Sequence, residues 1–170
     1  MPEHATPDPT EQSRWRPVRL LLAAMDHDIA ALYEERGLAD IRPRFAMPLI
    51  RLARRGPMTI RQLADTLDVT HSAMSQTVSA LRRQGLVRSL PGSNDARTRE
   101  IALTKRARDI VPFLESEWRA TEQAAAELED EIPYPLSRVV DDIEAALARR
   151  SFHDRIVGRL VEADAAEADA

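Results

Sequence analysis

Residues 59–85 read TIRQLADTLDVTHSAMSQTVSALRRQG, and two helical patterns lie inside them. Thr59 and Gln62 have the spacing of a capping box, in which each side chain satisfies the other's backbone amide. Ile60, Leu63, Ala64 and Leu67 then fall on one helical face. The pattern breaks at Asp68-Val69. Thr70 has the side chain of an N-cap for a second helix, Met74, Val78 and Leu81 form its apolar stripe, and Gly85 ends it. Two short helices joined by a tight turn make a helix-turn-helix.

Immediately downstream, LVRSL (86–90) and EIALT (100–104) predict two strands joined by the polar turn PGSNDARTR (91–99). Such a hairpin after a helix-turn-helix is a wing. The second helix of the motif enters the DNA major groove and its N-terminal residues reach base edges. With Met74, Val78 and Leu81 turned inward, the outward residues are His71, Ser72, Ser75, Gln76 and Ser79, with Thr70 at the helix start. A glutamine amide can bond adenine bidentately, and serine serves either base or phosphate. Arg61, Arg82 and Arg83 are placed for phosphates. On the wing, Arg97 and Arg99 suit the narrow, electronegative minor groove. Asp95, two residues before Arg97, is placed to hold its guanidinium before DNA arrives.

Charge is distributed accordingly. The chain of 170 residues is net −4, yet twelve of its 24 basic residues stand between Arg51 and Arg108. Against them are Asp65, Asp68, Asp95 and Glu100, so this segment carries +8 and the remainder −12. A basic face on an acidic body is the expected footprint of a DNA reader. The opposing reading is a winged-helix protein-interaction module without specific DNA binding. It draws on the −4 total and on the lack of any lysine or arginine from His71 to Ser79.

Outside the motif the sequence is helical. Trp15, Val18, Leu22, Met25, Ile29 and Leu32 form a heptad seam, with Pro17 in the first turn and Gly37 as terminator. A second helix ends near Gly56. Pro48 obliges it either to begin around Ala46 or to kink. Thr104 caps a long helix to about Glu129 with the stripe Ile110, Leu114, Trp118, Thr121, Ala125 and Leu128, and Pro112 predicts a kink in it. A last helix from Leu136 presents Val139, Val140, Ile143 and Leu147, then bends at Ser151.

The expected fold is mainly α with a small β-hairpin wing: a winged helix-turn-helix plus a helical dimerisation region. Residues 1–13 form a disordered N-terminal tail and 163–170 an acidic tail. Residues 56–104 form the DNA-binding region, and 14–55 with 105–162 the helical one.

Residues 59–104 resemble the winged helix-turn-helix of MarR-type transcriptional regulators. The family's wing signature, Asp-x-Arg followed by Leu-Thr, is present as Asp95-Ala96-Arg97 and Leu103-Thr104. Ala107 departs from it, standing where the family usually has glycine. The flanking helices match in order and length. The resemblance implies a cytoplasmic homodimer with intertwined first and last helices, reading double-stranded DNA as a pseudo-palindromic operator. Its half-sites lie roughly 34 Å apart. The heptad seam and the stripe from Val139 to Leu147 support the dimer independently. It also implies a repressor released by a small aromatic or lipophilic effector. Trp15, Met25, Tyr33, Phe45, Met47 and Trp118 are candidates for that pocket, but each fits an ordinary core equally well, and none is assigned.

Other chemistries find no support. Cysteine is absent, which excludes disulfides and thiolate metal sites. His4, His27, His71 and His153 show no metal-ligand spacing. No GxGxxG, GxSxG or HExxH pattern occurs, so neither cofactor nor enzyme activity is expected. The polar, proline-rich start MPEHATPDPT lacks a signal-peptide core, and no apolar run approaches the roughly 18 residues of a membrane span.

Overall fold

The structure, a computed structural model, describes residues 8–92 and 98–168. The chain divides into two compact units after Trp118.

In the first unit, a 3-10 turn at Pro9–Glu11 precedes helix α1, Arg16–Glu35. Residues 8–13, expected as part of a tail, thus include an ordered turn in which the Asp8 side chain accepts from the Thr10 amide. Pro17 sits in the first turn of α1, where its missing N–H costs nothing. Helix α2 runs Ala46–Arg55 behind a 3-10 turn at Pro43–Phe45. That start places Pro48 third in the helix, among the amides that have no intrahelical partner anyway, so no kink is required.

Strand β1, Met58–Thr59, leads into α3, Ile60–Asp65, and α4, His71–Arg83. Both halves of the capping box at Thr59 and Gln62 are formed, and the Thr70 hydroxyl accepts from the Ala73 amide at 3.2 Å. Asp68 takes the left-handed conformation at φ 52° in the turn between the helices, a conformation that aspartate tolerates better than most residues. Gly85, at φ 66°, ends α4. The Leu86 amide reaches back to the Leu81 carbonyl and the Gly85 amide to that of Arg82, which satisfies two orphan carbonyls.

Strands β2, Val87–Pro91, and β3, Arg99–Leu103, form the hairpin. The sheet is antiparallel in the order β1-β3-β2, with Met58 opposite Ile101 and Val87 opposite Leu103. Its third strand, β1, is absent from the sequence reading. Helix α5, Lys105–Asp130, follows. The Thr104 hydroxyl accepts from the Ala107 amide and donates to the Gly85 carbonyl, tying the start of α5 to the end of α4.

The core of this unit joins Tyr33, Leu49, Leu63, Val78, Leu81, Leu86, Ile101 and Leu114, all fully buried. On α5 the buried residues are Ala107, Val111, Leu114 and Glu117; of the expected stripe, Leu114 is buried, Ile110 and Trp118 pack against the core, and Leu128 is exposed. Ala107 is fully buried there, so the β-carbon that glycine would lack lies within the core.

The second unit holds the end of α5, then α6, Leu136–Arg149, and α7, Phe152–Ala168. Glu129 accepts from both the amide and the hydroxyl of Ser137 at 2.7 Å and so caps α6. Those bonds hold its carboxyl below the ordinary carboxylate value. At the bend, the Ser151 hydroxyl accepts from the Asp154 amide. Helix α7 continues to Ala168, through most of the acidic tail expected over residues 163–170. Alanine and glutamate have high helix propensity, and extending a formed helix needs no new nucleation.

Candidate nucleic-acid interface

Helix α4 is amphipathic because Met74, Val78, Ala80 and Leu81 are buried. The opposite face is presented on a rigid support. His71, Ser72, Gln76 and Ser79 are exposed and Ser75 is half-buried. Among the described residues, the side chains of His71, Ser72 and Gln76 have no hydrogen-bond partner, so their bonding capacity is free for a ligand. Ser79 differs: its hydroxyl donates to the Ser75 carbonyl at 2.8 Å and keeps only acceptor capacity. Thr70 spends its acceptor on the helix cap, which makes it a structural residue first.

The arginines separate into groups. Arg61 and Arg99 are exposed, on α3 and at the start of β3. Arg82 is held by the wing, donating from Nη2 to Ser89 Oγ at 2.5 Å, so α4 and β2 are fastened together at that point. Arg83 lines a small cavity with Arg42 and Arg44. Asp95 and Arg97, the tip residues singled out from sequence, lie outside the described residues.

Three of the cations counted in the +8 segment are neutralised by acids from beyond it. Arg54 pairs with Glu115 at 2.5 Å, Lys105 with Asp109 at 2.9 Å, and Arg106 with Asp40 at 2.5 Å. The Glu115 hydrogen bonds raise the Arg54 pKa further. No acid among the described residues pairs with Arg61, Arg82, Arg83, Arg88 or Arg99. The basic face is therefore smaller than the count suggests.

One pair escaped the sequence reading. Tyr33 Oη donates to Glu117 Oε2 at 2.8 Å, both residues being buried. Burial first, and then the hydrogen bond to Glu117, raises the tyrosine pKa above its ordinary value. Phe113 packs edge-on against Tyr33 at 5.7 Å, and the Arg36 guanidinium lies over Phe113. Helical spacing alone reads a glutamate on α5 as solvated. Close by in sequence, Trp118 joins Met47, Ile50, Arg51, Arg54 and Arg55 around a cavity of about 380 Å³. Of the six hydrophobic candidates for an effector pocket, the structure brings Met47 and Trp118 together there and sends Tyr33 and Phe45 to the core. Among the described residues no three His, Asp or Glu side chains gather as a metal site, and no helix is long and apolar enough to cross a membrane.

Comparison with known proteins agrees with this geometry. Residues 49–98 match the model of the MarR family. The structure is similar to MepR of S. aureus, solved in complex with DNA, with TM-score 0.59 and 18% identity over 81% of this chain and 98% of that one. It is similar also to the transcriptional regulator SlyA, with TM-score 0.57 and 16% identity over 86% and 99%. A probable transcriptional regulator from Pseudomonas aeruginosa gives 0.51 and 20% over 76% and 96%. These identities speak for the fold. No curated protein matches the chain.

Proposed function

Because the chain belongs to the MarR family, whose members are transcription regulators and not enzymes, we infer that it reads a double-stranded operator and represses transcription from it. The observation that carries this is the uncommitted polar face of α4. His71, Ser72 and Gln76 stand free on a helix fixed from behind by Met74, Val78 and Leu81. Gln76 bonds an adenine edge through its amide, the serines serve base or phosphate, Arg61, Arg82 and Arg83 contact the backbone, and Arg99 faces the minor groove with the wing. Arg97 and Asp95 act at the wing tip in the minor groove.

The reading extends to a homodimer in the cytoplasm. In the single chain Leu20, Leu21 and Leu22 of α1, Val139 and Val140 of α6, and Leu160 and Val161 of α7 are all exposed. Apolar surface on this scale marks an interface. A two-fold dimer would present two α4 helices to a pseudo-palindrome. The cavity beside Trp118 suits an aromatic or lipophilic effector carrying negative charge, since arginines line its other side.

The test is a fluorescence-anisotropy titration against the DNA upstream of the chain's own gene, with scrambled DNA beside it, at two salt concentrations. Sequence-preferring binding that falls steeply with salt is expected, because neutralised phosphates release counterions. Gln76→Ala should relax preference at a few base pairs, and Arg97→Ala should weaken binding with the dimer intact. Equal, weak binding to both DNAs with little salt slope would overturn the reading in favour of a protein-interaction module.

A further inference from the structure

At the C-terminal end of α4, away from its base-reading start, Arg83 and Gln84 meet the turn that enters α2. Arg42, Arg44, Phe45, Ala80, Arg83 and Gln84 enclose a cavity of about 130 Å³. Three arginines line this small concavity, and no acid lines it. The nearest carboxylate in sequence, Asp40, is already occupied by Arg106, which also donates to the Gln84 carbonyl. Arg44 is steadied over the Phe45 ring at 5.5 Å. Three like charges around one hollow repel one another, and an anion seated among them turns that cost into attraction.

Gln84 supplies a second, independent observation. Its Oε1 is buried and has no hydrogen-bond partner. A buried amide oxygen without a donor is rare in a folded protein. The carboxamide is symmetric enough that its oxygen and nitrogen exchange places by rotation. In the exchanged orientation an N–H donor joins the guanidinium groups, and the polar lining becomes a set of donors. Guanidinium forks match tetrahedral oxyanions bidentately.

We propose that Arg42, Arg44, Arg83 and Gln84 form a binding site for a phosphoryl group. The chemistry admits two sources, a free phosphate or a phosphate of the DNA backbone. The second rests on the DNA-reading function, and the first stands without it.

Inorganic phosphate is the probe for the free form. It is titrated into the full-length protein at constant ionic strength, with chloride as control, while thermal unfolding and the phosphorus NMR linewidth are followed. The variants are Arg42→Gln with Arg44→Gln, and Arg44→Lys alone. All these positions are on the surface or at its edge, and far-ultraviolet circular dichroism verifies folding. A saturable, phosphate-specific rise in unfolding temperature that the double variant abolishes and Arg44→Lys weakens establishes a free-phosphate site. Failing that, a decrease of about 0.9 in the salt slope of DNA binding in the double variant, one phosphate contact, assigns the site to the DNA backbone. Phosphate indifference together with an unchanged DNA slope overturns the proposal. If the wild type does not bind DNA at all, the phosphate titration alone decides, so the two inferences fail separately.

Discussion

Every buried side chain among the described residues lies at or before Glu117, whereas α6 and α7 bury none. The contrast does not come from a shortage of apolar residues in the later helices. Val139, Val140 and Leu147 in α6, and Phe152, Ile156, Leu160 and Val161 in α7, are all exposed in the single chain. The first region closes its own core by folding helices onto a small sheet. The second consists of amphipathic helices whose apolar faces have nothing of their own to cover them. One region is a unit of folding, and the other leaves its apolar faces exposed. Substitutions in the two should therefore be felt in different measurements.

The largest effect belongs to the first region. Leu81, fully buried between α4 and the sheet, should cost about 2–5 kcal/mol as Leu81→Ala, through lost transfer energy and the cavity left behind. Chemical denaturation should register that loss equally at every protein concentration. A dependence on concentration would mean that the core of this region is itself completed by a partner.

The reciprocal change is Ile156→Asp with Leu160→Asp, at positions 47% and 59% exposed. In the isolated chain such surface changes should move stability by no more than about 0.5 kcal/mol. If α7 lies in the proposed dimer contact they bury charge there, so sedimentation should find the variant more monomeric than the wild type. An unaltered dimer would remove α7 from the interface. A large, concentration-independent loss of stability would erase the distinction between the regions altogether.

The two regions also differ in how far the sequence disclosed them. The helix-turn-helix was readable because its determinants are local. Thr59 with Gln62, Thr70 and Gly85 each act within a few residues, and all four take up the expected cap positions. Features that depend on distant partners were not readable. Strand β1 exists because Met58 pairs with Ile101, and two residues carry no periodicity of their own. The partners of Arg54 and Arg106 lie 61 and 66 residues away, so counting charges along the segment overstated the basic face. The buried face of α5 is wider than its apolar stripe for a related reason. It includes Glu117, which accepts a hydrogen bond from Tyr33 inside the core. Of the residues proposed to read DNA, Gln76, His71 and Ser72 are exposed. Arg82 and Ser79 have engagements, with Ser89 and with the Ser75 carbonyl, that helical geometry alone does not specify.

The Tyr33–Glu117 pair gives a smaller effect with a pH signature. Tyr33→Phe removes one donor to the buried Glu117, at a cost of roughly 1–3 kcal/mol. The folded protein also holds the phenolic proton more tightly than the unfolded chain does, because burial raises its pKa. Above about pH 10, where a free tyrosine ionises, the unfolded state loses this proton first, so stability falls as pH rises. Below that pH the contribution is fully present. Stability measured from pH 8 to 11 should decline in the wild type, and the part due to this tyrosine should vanish in Tyr33→Phe. Identical slopes in both proteins would show that the phenol ionises equally well folded and unfolded.

The smallest effect returns to the second region. Glu129 is held below its ordinary pKa of 4.5 by the Ser137 hydroxyl and amide. A depressed carboxylate stabilises the fold above its unfolded pKa, and that contribution is lost as pH falls through the folded value. Acidification should therefore fray the start of α6 before it disturbs the first region, whose Thr59–Gln62 cap involves no ionisable group. Ser137→Ala should reduce α6 helicity at neutral pH, by amide exchange at residues 137–140, and flatten its dependence between pH 5 and 3. The α3 amides should not respond. If α6 resists acid as well as α3 does, its end is held by packing, and the helix then has a covered face that the single chain does not supply.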